Sequence, residues 1–275
     1  MSVVAIPEST KAEPVATSIV ARVLPAYVAA IAVAEVLVGF VDPVAGTLVD
    51  AVVLLAIVNH YAWLGSQSGT TARVPSDAAA LPVLALLPIL RLASVAMPVT
   101  ALPEIVWYAA VGAPVLAAAW VAARVAGLKA ADIGLRVPSW PAQIATAAAG
   151  VPLGLAAYWI AQPDLVGGTS GVGRGLLGGA ILLMCVGLLE ELIFRGLVQT
   201  VFEGALRCPG IVWSTLLFAL VYASSRDPAY IAFIAAVGAA FGWCARRTGS
   251  IVGVAAAHGL LVAGLLIAWP QALPS

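Results

Sequence analysis

Residues 188–200 read LLEELIFRGLVQT, with two adjacent carboxylates, Glu190 and Glu191, in an otherwise apolar run and Arg195 four residues after the second. On a helix, Glu191 and Arg195 share a face and can pair, while Glu190 points about 100° away. The two acids are thereby divided. Glu191 is held ionised by the guanidinium, and Glu190 is left to exchange a proton with water, as a general base must. Paired groups whose surroundings push them apart in this way are the usual sign of acid–base chemistry. A third titratable residue, His258, sits in VGVAAAHGLLVAG. At eight residues into its apolar run it lies ~12 Å deep, a depth Glu190 can reach. A Glu–His pair around one water suits hydrolysis of an amide in surroundings that exclude bulk water. Gly253 and Gly259 would let another helix, or a substrate backbone, come close. The competing reading is a buried ion pair with a Glu that snorkels to the surface.

These residues stand in a chain unlike a soluble domain. Of 275 residues, 63% are hydrophobic and 9% charged, with 13 Lys+Arg balancing 13 Asp+Glu. A water-facing surface needs roughly 25% charge. Soluble enzymes and disordered chains are thereby excluded, and so are nucleic-acid binders, since no basic excess is present to hold phosphates. A helix crosses the ~30 Å hydrocarbon core in ~20 residues, so nine crossings use roughly 180. The apolar runs are continuous rather than alternating, which reads as helix. The fold class expected is an all-α polytopic transmembrane helical bundle of eight to nine spans. Nine runs can be drawn: 23–41, 44–64, 78–95, 105–123, 142–161, 176–200, 210–223, 228–245 and 250–269. The seventh is short for a full crossing. Gly150/Gly154 and Gly238/Gly242 have the spacing of close helix packing.

Cations set the direction. With the N-terminus inside and nine alternating spans, the inner loops hold Lys11, Arg22, Arg73, Arg124, Lys129, Arg136, Arg207, Arg246 and Arg247, and the outer loops only Arg174 and Arg226. The positive-inside rule therefore predicts a cytoplasmic N-terminus, an outer C-terminus and a retained first span; the Ala/Val/Gly-rich composition suits a bacterial plasma membrane. The three cysteines, Cys185, Cys208 and Cys244, form no CxxC and predict no disulfide framework. Glu35, Asp50 and Arg91 fall within ~6–9 Å of the outer hydrocarbon edge and are expected to form a structural carboxylate–guanidinium cluster. Asn59 and His60 read as polar residues near the inner end of the second span. Between spans four and five, GLKAADIGLRVPSW (127–140) alternates apolar and charged residues, as an interfacial segment or a solvated loop would. It divides the chain into a tail (1–22), a four-span half (23–127) and a five-span core (128–275).

EExxxR, a Phe-xxx segment in the next span and a His in the last together resemble the CPBP family. That family includes the type II CAAX prenyl endopeptidases and bacterial relatives tied to bacteriocin processing and immunity. RRTGSIVGVAAAHG from Arg246 looks like the family's approach to its last motif, and GLKAADIGLR like the segment that often precedes its core. The resemblance covers roughly 128–269. It implies an intramembrane endopeptidase in which Glu190 activates water, Glu191 and Arg195 support the site, and His258 lies on the oxyanion side. Two positions depart from the pattern. Where the family has FxxxH this chain reads FALVY, Phe218 to Tyr222, and where it has HxxxN this chain reads HGLLV, His258 to Val262. A phenol donates a hydrogen bond but is a poor base at neutral pH, and valine offers no donor at all. The site expected is thus Glu190, Glu191, Arg195, His258 and Tyr222, with Glu190, Tyr222 and His258 converging on one cavity open to the inner side.

No cofactor is implied. With two histidines and no HExxH, a metal is not called for, although Glu190, Glu191 and His258 are three ligand-type residues. The partners expected are membrane lipid and a membrane peptide or protein, without nucleic acid. Three functions stay open: a glutamate-type intramembrane endopeptidase, a degenerate relative that binds a peptide or partner without cutting it, and a proton-coupled transporter, for which the paired repeats with broken helices are not seen.

Overall fold

The computed structural model describes residues 19–67, 76–96, 102–206 and 209–273. The tail to residue 18, with Lys11, and also Arg73, Arg207 and Cys208, lie outside the described residues.

Every regular element described is helical. α1 spans Ile19–Val36 and widens into a π turn over Leu37–Val41; α2 is Pro43–Gln67. α3 comes in two pieces, Ala80–Leu84 and Leu86–Ala96, and α4 is Glu104–Val125. α5 is likewise broken, into Trp140–Ala148 and Gly150–Ala161. α6 runs over Val172–Leu206, α7 over Gly210–Val221 with a 3₁₀ turn at Tyr222–Ser225, α8 over Pro228–Thr248 and α9 over Val252–Ala272. Seven of these are long and apolar enough to cross a membrane, and α3 and α7 are shorter apolar helices. The protein is an integral membrane helical bundle, and the nine apolar runs each coincide with one element.

Proline explains the breaks. Pro88 and Pro152 lack an N–H and clash with the carbonyl four residues back, Leu84 and Ala148, which is where α3 and α5 are interrupted. Pro270 acts in the same way on Leu266, whose freed carbonyl accepts the Val166 N–H at 3.0 Å. Such re-satisfaction is obligatory where no water is available. α8 is cleanly bounded. Asp227 Oδ1 accepts from the Ala229 N–H at 2.9 Å, Pro228 opens the helix, and Gly249 closes it at φ +64°.

The bundle has two distinct ends. One gathers the start of α1, the ends of α2, α4, α6 and α8, and the 127–140 segment. Among the described residues it carries Arg22, Arg124, Lys129, Arg136, Arg246 and Arg247 against Asp132 and Glu203. The other end carries Arg174 and Arg226 against Asp42, Glu104, Asp164 and Asp227. We call them the basic and acidic ends. All eight Trp residues lie within five positions of a helix end, as an interfacial aromatic belt requires.

The 127–140 segment is not a loose loop. Ile133 is buried at 1% exposure, the Gly134 carbonyl accepts the Ile251 N–H at 2.9 Å, and Arg136 Nε donates to the Gly249 carbonyl at 2.8 Å. It closes the basic end beneath α6, where the Ile133 carbonyl leaves only 3.0 Å for any Cβ at Gly196.

Candidate active site

α6 and α9 hold the charged residues, and glycine lets them meet. A Cβ on Gly187 would lie 2.6 Å from the Gly259 nitrogen and 2.7 Å from the Ala255 carbonyl oxygen. Only hydrogen fits there, so the two backbones cross in contact. From the opposite side Gly150 of α5 faces the Ala257 carbonyl, and a Cβ on Gly154 would lie 2.8 Å from that of Leu261. α9 is thus clamped between glycine-bearing helices at the level of His258. α6 widens into π turns over Leu183–Leu188 and Leu192–Val198, leaving Leu189–Glu191 as a short α segment between them. Wide turns of this kind re-aim side chains and are frequent at functional sites.

The five expected residues are brought together. Arg195 Nη1 donates to Glu191 Oε1 at 2.9 Å, and both side chains are fully enclosed. Arg195 Nη2 donates to the Gly238 carbonyl at 3.0 Å, and its Cζ stands 4.2 Å from the centre of the Phe218 ring. His258 Nδ1 lies 2.9 Å from the same Glu191 Oε1. The Tyr222 hydroxyl donates to Glu190 Oε2 at 2.9 Å, and His258 Nε2 stands 3.8 Å from that oxygen. Phe218 fixes the ring set, meeting Tyr222 and His258 edge-on at centroid distances of 5.4 and 5.7 Å. The division read from spacing is visible here: Glu191 side-chain exposure is 0% and Glu190 is 12%, so Glu190 is the acid that faces open space. With a carboxylate oxygen of Glu191 as acceptor, Nδ1 is the His258 nitrogen that carries a proton, and Nε2 is the one turned toward Glu190.

That space is a cavity of about 390 Å³, on whose wall stand Glu190, Tyr222 and Val262. Both departures from the family motifs therefore face it. Its direction differs from expectation. From Leu189 and Val262 it runs to Ser94, Trp107, Ser224 and Leu266, at the acidic end, rather than to the basic end. Toward the basic end Glu190 is backed by the fully enclosed Glu191–Arg195 pair, and Ile133 of the 127–140 segment packs against Gly196 beneath it. His258 reaches Glu190 and Glu191 from behind this wall.

The Glu35–Asp50–Arg91 cluster is only partly realised. Arg91 pairs with Glu35 through Nε and Nη2, and Nη2 also donates to the Val221 carbonyl at 2.9 Å. Asp50 is left out: it is buried, and neither carboxylate oxygen has a hydrogen-bond partner. The guanidinium edge is spent on Glu35 and on the backbone beside Tyr222. Glu35 and Arg91 also line the cavity, so the brace is one of its walls. Tyr108 and Tyr230 complete the polar rim. No signal in the sequence separates these tyrosines from lipid-facing aromatics. His60 lies elsewhere, its Nδ1 3.2 Å from the Tyr27 hydroxyl. Cys185 and Cys244 are free thiols. No group of three His, Cys, Asp or Glu among the described residues is placed to hold a metal ion.

Fold and site together define an integral membrane helical protein with an acid–histidine cluster on a cavity inside the bundle. Residues 173–264 match the family model described as type II CAAX prenyl endopeptidase Rce1-like. The match runs from the start of α6 into α9 and takes in Glu190, Glu191, Arg195, Tyr222 and His258. The CPBP resemblance carried by EExxxR and the last-span histidine is thereby shown for this segment, which is similar to the CAAX-type peptidases over residues 173–264 of 275. No curated protein and no solved structure matches the chain.

Proposed function

We propose that the protein is a glutamate-type intramembrane endopeptidase acting on a membrane-associated peptide or protein. The observation that carries this is a pair of acceptors 3.8 Å apart, Glu190 Oε2 on the cavity wall and His258 Nε2 just behind it. That separation is too long for a direct hydrogen bond and suits one bridging water. Such a water gives one hydrogen to each acceptor and turns its lone pair to the cavity. Glu190 takes a proton as the water oxygen adds to the scissile carbonyl carbon. The tetrahedral intermediate then collapses, the C–N bond breaks, and the proton on Glu190 passes to the leaving amine. Glu191 orients the His258 ring, and Arg195 keeps Glu191 ionised and in place. The carried-over role of His258 as an oxyanion donor sits less well with this tautomer. The donor beside the reacting carbon is the Tyr222 hydroxyl, which can leave Glu190 for the oxyanion.

A second reading has its own observation. Val262 puts an apolar side chain on the wall where the family pattern has asparagine. A relative that binds a peptide without cutting it would keep the cavity and lose that donor. The variant Glu190→Ala separates the two. Under the peptidase reading, processing of the native substrate disappears while the protein inserts and expresses normally. Processing that survives the change refutes it.

A further inference from the structure

The cavity that holds Glu190 reaches one end of the bundle only. Its outermost wall residues, Ser94, Trp107, Ser224 and Leu266, belong to the acidic-end parts of α3, α4, α7 and α9. Ser224 is exposed. Toward the basic end Glu190 is backed by the fully enclosed Glu191–Arg195 pair. A separate cavity at the basic end touches Arg195 and Gln199 but not Glu190, Tyr222 or Val262. The buried Glu191–Arg195 pair stands between the two.

Charge says which side each end faces. Among the described residues the basic end holds Arg22, Arg124, Lys129, Arg136, Arg246 and Arg247, and the acidic end only Arg174 and Arg226. Retention of Lys and Arg on the cytoplasmic side puts that end in the cytoplasm. The catalytic cavity then opens on the other side. We infer that the site takes its peptide from the non-cytoplasmic face: a segment already carried across the membrane, or the outer flank of a membrane-anchored chain, and not a cytoplasmic tail. The wall near Glu190 is made by Val186, Leu189, Val262 and Leu265, with Trp107 and Tyr108 further out. The residues flanking the scissile bond are accordingly apolar. Describing the occupant as a peptide rests on the peptidase reading; the sidedness rests on the cavity and the loop charges alone.

Sided thiol labelling tests it without turnover. The native cysteines are replaced by serine, and single cysteines are placed at Ser224→Cys and Leu266→Cys for the cavity and Ala131→Cys for the exposed basic-end segment. A membrane-impermeant maleimide is applied to intact spheroplasts and to inverted vesicles. Ser224→Cys and Leu266→Cys should label in spheroplasts and lose labelling in inverted vesicles, with Ala131→Cys giving the reverse. Cavity cysteines that label only in inverted vesicles, or equally in both, overturn the proposal. Should Leu266→Cys fail to accumulate, Ser94→Cys takes its place on the same rim. Repeating the labelling in the Glu190→Gln chain separates the two claims. Unchanged sidedness with no peptidase activity in the parent chain sinks the peptidase reading alone, and inverted sidedness with activity present sinks this one alone.

Discussion

Replacing Arg195 by methionine removes the guanidinium while keeping most of the aliphatic stem. Three contacts go with it: the 2.9 Å hydrogen bond to Glu191, the 3.0 Å bond to the Gly238 carbonyl, and the cation–π contact 4.2 Å from the Phe218 centroid. Glu191 becomes an enclosed carboxylate whose remaining partner is His258 Nδ1. Breaking a buried pair from one side costs ~3–5 kcal/mol, because a charge is left behind. The intact pair is worth less than that. Glu191 Oε2 and Arg195 Nε have no hydrogen-bond partner, so desolvation offsets much of the attraction. Removing both charges, in Arg195→Met/Glu191→Gln, should therefore recover most of the loss and give a coupling of roughly 2–3 kcal/mol in a double-mutant cycle. SDS titration of the protein in mild detergent, followed by tryptophan fluorescence, reads the unfolding equilibrium. A loss of ~3 kcal/mol is more than a hundredfold in that constant. The reasoning is refuted if Arg195→Met stays within ~1 kcal/mol of the parent, or if the double variant is as unstable as the single one.

Three further outcomes follow from the same geometry. Gly187→Val should prevent α6 and α9 from meeting and yield aggregated protein on size exclusion, whereas Gly65→Val, where a Cβ meets nothing within 4 Å, should run as the parent does. Asp50→Asn removes a buried carboxylate whose oxygens lack partners and should leave stability unchanged or raise it, while Glu35→Gln strands Arg91 and should lower it, both read by the same titration. Tyr222→His with Val262→Asn restores the family motif on the cavity wall and should raise the rate of peptide hydrolysis; an unchanged rate would mean that the cavity is not arranged for catalysis.

The spans were legible because low charge leaves little room for anything else, and all nine apolar runs became helices. The buried charged cluster of the candidate site was legible for the same reason. A charge inside a span needs a partner, and Glu191, Arg195 and His258 supply one another's. What hydropathy could not show is geometry between spans. α6 is longer than its apolar run because Gln199 and Glu203 continue the helix on an amphipathic last turn. The cavity's direction depends on which side of Glu190 the enclosed Glu191–Arg195 pair closes, and the burial of Ile133, a residue in a charged segment, is set by Gly196 and the Gly249–Ile251 turn. Asp50 was expected to share Arg91 with Glu35, but a guanidinium has a finite number of donors, and one of them goes to the Val221 carbonyl. Tyr108 and Tyr230 look like any membrane aromatic until α4 and α8 bring them to the cavity rim.

The central claim is that Glu190 performs proton transfer in peptide-bond hydrolysis. The most direct measurement places purified parent protein and Glu190→Gln in identical proteoliposomes with a library of apolar peptides and follows new termini by mass spectrometry. Glutamine keeps the size of the side chain and can still accept from Tyr222, so folding and the cavity are preserved. The account predicts fragments from the parent chain and a rate lower by ~10²–10⁴ for the variant, the contribution of a positioned general base. Equal cleavage by the two proteins, or none by the parent, would contradict it.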